Sequence, residues 1–152
     1  AMGDEIEKLT NPDQAAVFVE RTRVAALAVC IGNRHGAYVR PPDLDFERLE
    51  EIAANVSIPL VLHGTSGLPD AMIEQAVALG VCKFNVNTEV RQACLKSLSS
   101  YLTGGSKIEA TDTSTNNPGQ GPELIPMMQR GIDAMKEAVM AKIQLFGSVG
   151  RA

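Results

Sequence analysis

Three short apolar segments constrain the fold of this sequence more than any other feature. They cover residues 25–31, 58–62 and 81–86, and a segment with helical character stands before and after each of them. The first is apolar at every position, and apolarity without alternation is typical of a strand that is buried on both faces. Short strands that alternate with helices over short connections predict an α/β fold with parallel strands.

Helical segments surround these strands. Asn11 before Pro12 is typical of a helix start, because asparagine caps free amides and proline suits the first turn. Further helices are predicted over 43–54, over 69–79 with Gly80 as terminator, and over 88–101. A long helix is predicted from Pro122. We interpret its apolar face as a packing surface rather than a cofactor site; its members are Leu124, Ile125, Met128, Ile132, Met135, Val139 and Ile143.

Composition bears on the class of partner and on location. The net charge of −4 gives no electrostatic reason to expect nucleic acid or an anionic membrane as a partner. No apolar segment approaches the roughly 20 residues that span a bilayer, and we expect no signal peptide. The three cysteines, Cys30, Cys82 and Cys94, lack the spacing of a metal site. They predict buried thiols in a reducing compartment, the cytoplasm.

We expect a single domain over residues 1–152, since a chain of this length can bury a sizeable core. Composition changes at residues 103–121, which are rich in Gly, Ser, Thr, Asn and Pro and contain almost no apolar side chain. Such a segment cannot bury enough apolar surface to order itself, and it predicts a mobile surface loop within the domain.

The sequence contains two histidines, and each follows an apolar segment. His35 comes after residues 25–31 and His63 directly after residues 58–62. Consecutive parallel strands end at the same edge of a sheet, so the two side chains are expected to lie close together. Imidazole is a good zinc ligand, and catalytic zinc takes three protein ligands. Two interpretations stay open here: a metal site with a third ligand from elsewhere, or histidines that only hydrogen-bond within their loops.

Two turns at the same edge are suited to bind an anion. Gly64-Thr65-Ser66 offers backbone N–H groups that no large side chain hinders. Residues 85–88 connect the third strand to a helix N-terminus, where free N–H groups and the helix dipole favour negative charge. A phosphate held by two neighbouring strand-to-helix loops is a recurrent site of TIM barrels. The alternatives are an ordinary Gly/Ser turn and a Thr88 that only caps its helix.

Four motifs in the sequence carry a family resemblance. They are Ala-Val-Cys-Ile-Gly-Asn-Arg-His-Gly-Ala-Tyr at 28–38, Leu-Val-Leu-His-Gly-Thr-Ser-Gly at 60–67, Lys-Phe-Asn-Val-Asn-Thr-Glu at 83–89 and Phe-Gly-Ser-Val-Gly-Arg at 146–151. Together they resemble the C-terminal half of class II, zinc-dependent ketose-bisphosphate aldolases, which include fructose- and tagatose-1,6-bisphosphate aldolases. The resemblance covers nearly all of this chain and about half of a family member.

The resemblance implies a fold and a reaction. The fold is a TIM (β/α)8 barrel, of which this chain would supply the last three strands with the C-terminal helices. The reaction is the reversible aldol cleavage of a ketose 1,6-bisphosphate, fructose or tagatose, to dihydroxyacetone phosphate and glyceraldehyde 3-phosphate. In the family, zinc acts as a Lewis acid on the ketone and stabilises the enediolate, and a monovalent cation, Na⁺ or K⁺, often assists near the phosphate.

The resemblance also implies roles for individual residues. His35 and His63 are two of the three zinc ligands, and the substrate contacts come from Gly36, Gly64, Thr65, Ser66, Asn85, Val86, Asn87 and Thr88. Thr65 stands where family members usually carry Gly or Ala, and Asn87 occupies a variable position that bears on the preferred ketose. No catalytic residue is assigned in this chain, because the family's proton-transfer aspartate and third zinc histidine belong to its N-terminal half.

These expectations define two functions. The first is an aldolase-type lyase. The isolated chain is then expected to be inactive, and to pair with a complementing N-terminal half or to form a homo-oligomer. The alternative is a non-catalytic phosphate-binding or assembly module of a larger or multi-subunit protein. A small flavodoxin-like binding domain fits less well, because three strands are too few for that fold.

Overall fold

The computed structural model describes residues 9–36, 38, 40–103 and 123–151. The predicted loop at 103–121 therefore lies almost entirely outside the described residues. Two compact units are present: one contains the described residues up to Thr88 and those from Leu145 onward, and the other contains Glu89–Gln144. The expectation of one domain over 1–152 stays a prediction.

The first unit is built on a parallel three-stranded sheet with the strand order β1-β2-β3. β1 is Leu27–Val29, β2 is Leu60–Leu62 and β3 is Val81–Phe84. Each strand lies inside the apolar segment that predicted it, and the α/β class with parallel strands is confirmed. β2 is buried at all three residues, as expected for a central strand, whereas Ala28 in β1 is exposed. Burial of β1 on both faces is therefore not found in this chain.

Helices connect the strands of the first unit. α1 is Pro12–Thr22, α2 is Phe46–Asn55 and α3 is Asp70–Ala78. The predicted start of α1 is confirmed, because the Asn11 side chain accepts a hydrogen bond from the Gln14 amide at 2.9 Å. α2 begins three residues later than predicted, since Asp45 is its N-cap. Gly80 follows α3 with a φ of 95°, which fits its predicted role as terminator.

The core of the first unit lies between the sheet and these helices. Its most completely buried side chains are Ile31, Leu49, Ile52, Leu62, Ile73 and Ala76. The C-terminal segment returns to this unit, where the Phe146 ring stacks on Phe84 with ring centroids 4.6 Å apart. Two apolar residues of these helices, Phe18 in α1 and Val77 in α3, are exposed. The prediction of buried thiols is wrong for Cys82, which is exposed, while Cys30 and Cys94 are half-buried and all three are free.

The second unit is a pair of helices. α4 runs over Thr88–Leu102 and α5 over Leu124–Leu145. They approach closely at Gly131, where an added Cβ would lie 3.0 Å from Cys94 Sγ and 3.2 Å from Leu98 Cδ2. The predicted apolar face of α5 is exposed, so its interpretation as a packing surface has no support within the described residues. None of the described helices is long and apolar enough to cross a membrane.

Asp45 is the residue of this fold whose charge has the clearest structural role. Its Oδ1 accepts from the Arg48 backbone amide and its Oδ2 from Arg48 Nε, both at 2.9 Å. The hydrogen bond from the Arg48 amide is the main cause that lowers the pKa of Asp45. A carboxylate with a lowered pKa stabilises the folded state above its unfolded pKa, and this contribution is lost as the pH falls through the folded value.

We predict that Asp45→Ala lowers the free energy of unfolding by about 1 kcal/mol at neutral pH, the usual cost of losing an N-cap. The difference from wild type shrinks as the pH falls below about 4 and through the lowered pKa of Asp45. Urea denaturation at a series of pH values measures both effects. Asp43→Ala, which removes an exposed carboxylate before the helix, is the control. Equal losses in the two variants would contradict the capping role.

Candidate functional site

The two histidines lie side by side at the C-terminal edge of the sheet. His63 follows β2 directly, and His35 lies in the loop after β1. Their ring centroids are 5.6 Å apart and the ring planes meet at 70°. His35 is exposed and His63 is half-buried. The strand order therefore brings the two imidazoles together, because β1 and β2 are parallel neighbours that end at one edge.

Asn85 approaches His63 from the end of β3. Its Nδ2 lies 2.9 Å from Nε2 and 3.1 Å from Nδ1 of the imidazole. Asn85 Oδ1 accepts a hydrogen bond from Lys83 Nζ, and because an ammonium group only donates, this contact orients the amide NH₂ towards the histidine. An NH₂ group also only donates, and its distances to the two ring nitrogens are nearly equal, so the tautomer of His63 decides which nitrogen can accept.

The loops that carry the histidines are joined by two side chains. Asn33 is 9% exposed; its Oδ1 accepts from the Ile31 amide at 2.8 Å and its Nδ2 donates to the His63 carbonyl at 3.1 Å. The Tyr38 hydroxyl accepts from the Arg34 amide at 3.1 Å and donates to the Gly64 carbonyl at 2.9 Å. The backbone on each side of His35 is thus tied to the backbone at His63 and Gly64.

The two loops approach each other closely at Gly64. Its φ is 62°, in the left-handed region. An added Cβ would lie 2.2 Å from the Arg34 carbonyl oxygen and 3.0 Å from the His35 amide nitrogen. Any side chain at this position would push the loop of His35 away from β2. A glycine after His63 is therefore a geometric requirement of the paired loops.

The turn after His63 is largely buried in this chain. Gly64, Thr65 and Ser66 are buried, and the Leu68 amide donates to the Thr65 carbonyl at 3.3 Å. Thr65 is 2% exposed, and its Oγ1 has no hydrogen-bond partner among the described residues. The turn leads into α3. Pro69 occupies the N-cap position of this helix, and its side chain makes no capping hydrogen bond. The expected sequence of strand, turn and helix N-terminus is present.

The remaining predicted residues are placed around this centre. Gly36 follows His35 with a φ of 96°, and an added Cβ there would meet nothing within 4 Å. Backbone conformation, rather than space, favours glycine at that position. Val86 and the exposed Asn87 connect β3 to α4, which begins at Thr88. The structure thus groups His35, His63, Gly64 and Asn85 by direct contacts. It places the others in the adjoining loops.

The donor atoms present fit part of a zinc site. Two neighbouring imidazoles are suitable ligands, and catalytic zinc is held by three protein ligands. Within the described part of the chain, no group of three or more His, Cys, Asp or Glu side chains is arranged to hold a metal ion. The pair of histidines therefore fits two positions of such a site, and the third has to be filled by a group outside this arrangement.

Three residues of the site were not predicted from the sequence: Asn33, Tyr38 and Lys83. Each lies within three positions of a predicted residue, but proximity along the chain gives no direction for a side chain. A weak signal exists for Lys83, because it stands two positions before Asn85 and alternation along a strand directs both to one face. Asn33 and Tyr38 act across loops, and only the tertiary structure identifies their acceptors.

Comparison with known proteins points to one family. The family described as fructose-bisphosphate aldolase class-II matches residues 2–151. The protein YdjI of Escherichia coli K12 is 41% identical over 143 residues, which are 94% of this chain and 45% of that protein. The crystal structure of the Escherichia coli K12 YdjI aldolase aligns with a TM-score of 0.75 and 38% identity, over 94% of this chain and 46% of that one.

A more distant structure supports the fold alone. The fructose-bisphosphate aldolase of Campylobacter jejuni aligns with a TM-score of 0.68 at 22% identity, over 91% of this chain and 45% of that one. In each of these alignments the chain spans about half the length of the relative that it matches.

The close approach at Gly64 gives a direct prediction. Gly64→Ala should destabilise the chain by about 1–3 kcal/mol, the usual cost of overpacking, because the added methyl group collides with the Arg34 carbonyl. Gly80→Ala is the control, since Gly80 also has a positive φ but an added Cβ there meets nothing within 4 Å. Urea denaturation compares the two. A loss at Gly64 no greater than that at Gly80 would show that backbone strain alone is responsible.

The buried hydroxyl of Thr65 gives a second prediction. A hydroxyl that is buried without a partner costs about 1–3 kcal/mol, so Thr65→Val, which keeps the shape and removes the hydroxyl, should stabilise the chain by about 1 kcal/mol. Thr103→Val is the control, because the Thr103 hydroxyl donates to the Ser99 carbonyl at 2.9 Å. Chemical denaturation measures both variants. Destabilisation by Thr65→Val would mean that the hydroxyl has a partner in solution.

Proposed function

The chain belongs to the class II fructose-bisphosphate aldolase family, and from this premise we propose that it forms part of a zinc-dependent aldolase. The observation that carries the proposal is the pair of imidazoles 5.6 Å apart at the C-terminal edge of a parallel sheet. The chain spans about half the length of its relatives, so the activity described below is that of a complete catalytic centre to which this chain contributes.

We propose that the three parallel strands are the last three of a TIM barrel. Support comes from their consecutive order β1-β2-β3 and from the helices that connect them. In such barrels the functional groups lie at the carboxyl ends of the strands, in the strand-to-helix loops. His63, the loop of His35 and the residues after β3 all lie at that end. A barrel built from further strands would also cover the two sheet edges that three strands leave open.

His35 and His63 are proposed as two ligands of the zinc ion. When bound, zinc supplies Lewis-acid chemistry, which polarises the carbonyl of the ketose substrate. The third ligand and the group that transfers the proton come from outside the arrangement described above. The closeness of the two rings, whose centroids are 5.6 Å apart, supports this role, because ligands that are already neighbours lose less freedom when they bind one ion.

The other site residues are proposed to hold the substrate. Asn85 is oriented by Lys83 with its NH₂ group towards His63, so it can donate a hydrogen bond to a substrate oxygen near the metal. Gly36 and the turn at 64–66 lie beside the histidines, and residues 85–88 lead into the N-terminus of α4. Backbone N–H groups at such turns and helix starts bind phosphate. A Na⁺ or K⁺ ion near the phosphate would complete this arrangement.

The proposed reaction is the reversible cleavage of a ketose 1,6-bisphosphate, fructose or tagatose, to dihydroxyacetone phosphate and glyceraldehyde 3-phosphate. Asn87, which is exposed between β3 and α4, is proposed to influence the choice between the two ketoses. The 152 residues alone are proposed to be inactive, since their described part brings together two proposed zinc ligands without a proton-transfer group. Activity then needs a complementing N-terminal segment or a homo-oligomer. The three free thiols support a cytoplasmic location.

A non-catalytic role is the second candidate. The described residues bring no three metal ligands together, and this favours a module that binds phosphate or supports assembly without catalysis. The two functions differ in the need for His63. A phosphate-binding module needs the turn at 64–66 but not an imidazole with a free lone pair.

Zinc content separates the two candidates. We expect the dialysed wild-type chain to retain about one zinc ion, with a third ligand recruited from water or from a second copy of the chain, and His63→Ala to lose it, because one imidazole alone cannot replace the pair. Elemental analysis after dialysis is the measurement. Cys82→Ser is the control, since the thiol of Cys82 is exposed and zinc can also attach to an accessible thiol. It should retain the zinc.

Two results would contradict these expectations. Absence of zinc in the wild-type chain would show that His35 and His63 do not hold the ion without a third protein ligand, and would favour the phosphate-binding module for the isolated chain. Aldol cleavage by the purified 152-residue chain that a chelator abolishes would show that the proton-transfer group is already present.

A further inference from the structure

The side chains of Asn33 and Tyr38, with their hydrogen bonds to the two loops, form an interloop clamp. Asn33 accepts a hydrogen bond from the Ile31 amide at 2.8 Å and donates one to the His63 carbonyl at 3.1 Å. It thereby connects the end of β1 to the end of β2. Tyr38 ties the Arg34 amide at 3.1 Å to the Gly64 carbonyl at 2.9 Å. The two bridges leave the β1 loop on either side of His35, and they end on consecutive residues, His63 and Gly64.

The two side chains of the interloop clamp are better fixed than the side chain of His35, which lies between them in the sequence. Asn33 is buried, and the Tyr38 ring packs against the hydrophobic core. His35 itself is exposed, and no hydrogen bond of its side chain is found among the described residues. Its backbone is therefore positioned by its neighbours. The amide of Arg34 is held by the Tyr38 hydroxyl, and the close backbone approach at Gly64 sets the distance between the loops.

We infer that Asn33 and Tyr38 are positioning residues, which set the separation of the His35 and His63 imidazoles and thereby the affinity of this pair for a metal ion. The effect on metal affinity, the affinity part, rests on the proposed function. The effect on the separation of the two imidazoles, the geometric part, does not. Two ligands bind a metal tightly only if their nitrogens are already at the right separation, because ordering them on binding costs free energy. Partners beyond the ligands that fix their orientation typically change metal affinity by about 10–100-fold.

Tyr38→Phe is the sharpest test, because it removes one hydroxyl and keeps the ring in the core. We expect the variant to remain folded, the amide of Arg34 to exchange faster with solvent, and the nuclear Overhauser effect between the His35 and His63 rings to weaken or disappear. We expect its affinity for Zn²⁺ alone, measured by calorimetry, to fall by about 10–100-fold. Tyr101→Phe is the matched control, since Tyr101 is the other tyrosine of the sequence and belongs to the helix pair.

Asn33→Ser is the second variant. Serine can still accept a hydrogen bond from the Ile31 amide, but its side chain is too short to reach the His63 carbonyl. We expect the same loss of ring contact and of Zn²⁺ affinity. If Tyr38→Phe failed to fold while Asn33→Ser folded, the second variant would decide. If neither folded, the two residues would be structural, and the inference would be wrong.

The outcomes separate this inference from the proposed function. A ring contact and a Zn²⁺ affinity within about twofold of wild type in folded Tyr38→Phe would overturn it, since the 10–100-fold loss of a positioning partner would be absent. Failure of the wild-type chain to bind Zn²⁺ would overturn the proposed metal site and the affinity part together. The ring contact and the exchange of the Arg34 amide, both measured without metal, would still decide the geometric part.

Discussion

The central position of β2 is the constraint on which the site depends. Leu60–Leu62 is paired on one side with β1 and on the other with β3, and all three of its residues are buried. A strand held on both edges and both faces has little freedom to move, so the residue at its end is delivered to a fixed point. That residue is His63. The loop of His35, the amide of Asn85 and the turn at 64–66 all contact or continue from it.

The polar contacts around His63 follow from this placement. The Asn85 amide nitrogen donates to the Leu62 carbonyl at 3.1 Å, which extends the pairing of β2 and β3 by one residue and brings the Asn85 side chain beside the imidazole. The loop after β1 approaches His63 from the other side of β2 and is fixed by Asn33 and Tyr38. The pairing of β1 and β3 with β2 thus places residues on both sides of His63. Side-chain hydrogen bonds then fix the distances between the loops, which the backbone pairing does not set.

Much of this arrangement could be predicted from the sequence, because its signals are local or periodic. The three apolar segments predicted three parallel strands, and the histidines after the first two predicted the paired imidazoles. The sequence did not reveal Asn33 or Tyr38, since their acceptors lie 30 and 26 residues away, and it contained only a weak signal for Lys83. The sequence also predicted a buried thiol at Cys82, which is exposed. An apolar residue at helical or strand spacing indicates a face, but the elements that cover that face are a tertiary property.

The Asn85 side chain is held beside His63 by its own strand rather than by one ring nitrogen. Asn85 Nδ2 lies almost equally far from both ring nitrogens of His63, at 2.9 and 3.1 Å. The two nitrogens of an imidazole point in different directions in the ring plane, so an atom this close to both does not lie along the lone pair of either. The amide is placed instead by the backbone hydrogen bond of Asn85 to Leu62 and by the contact of its Oδ1 with Lys83. Its position is therefore independent of the tautomer of His63, and its NH₂ group can also donate to a further acceptor beside the imidazole.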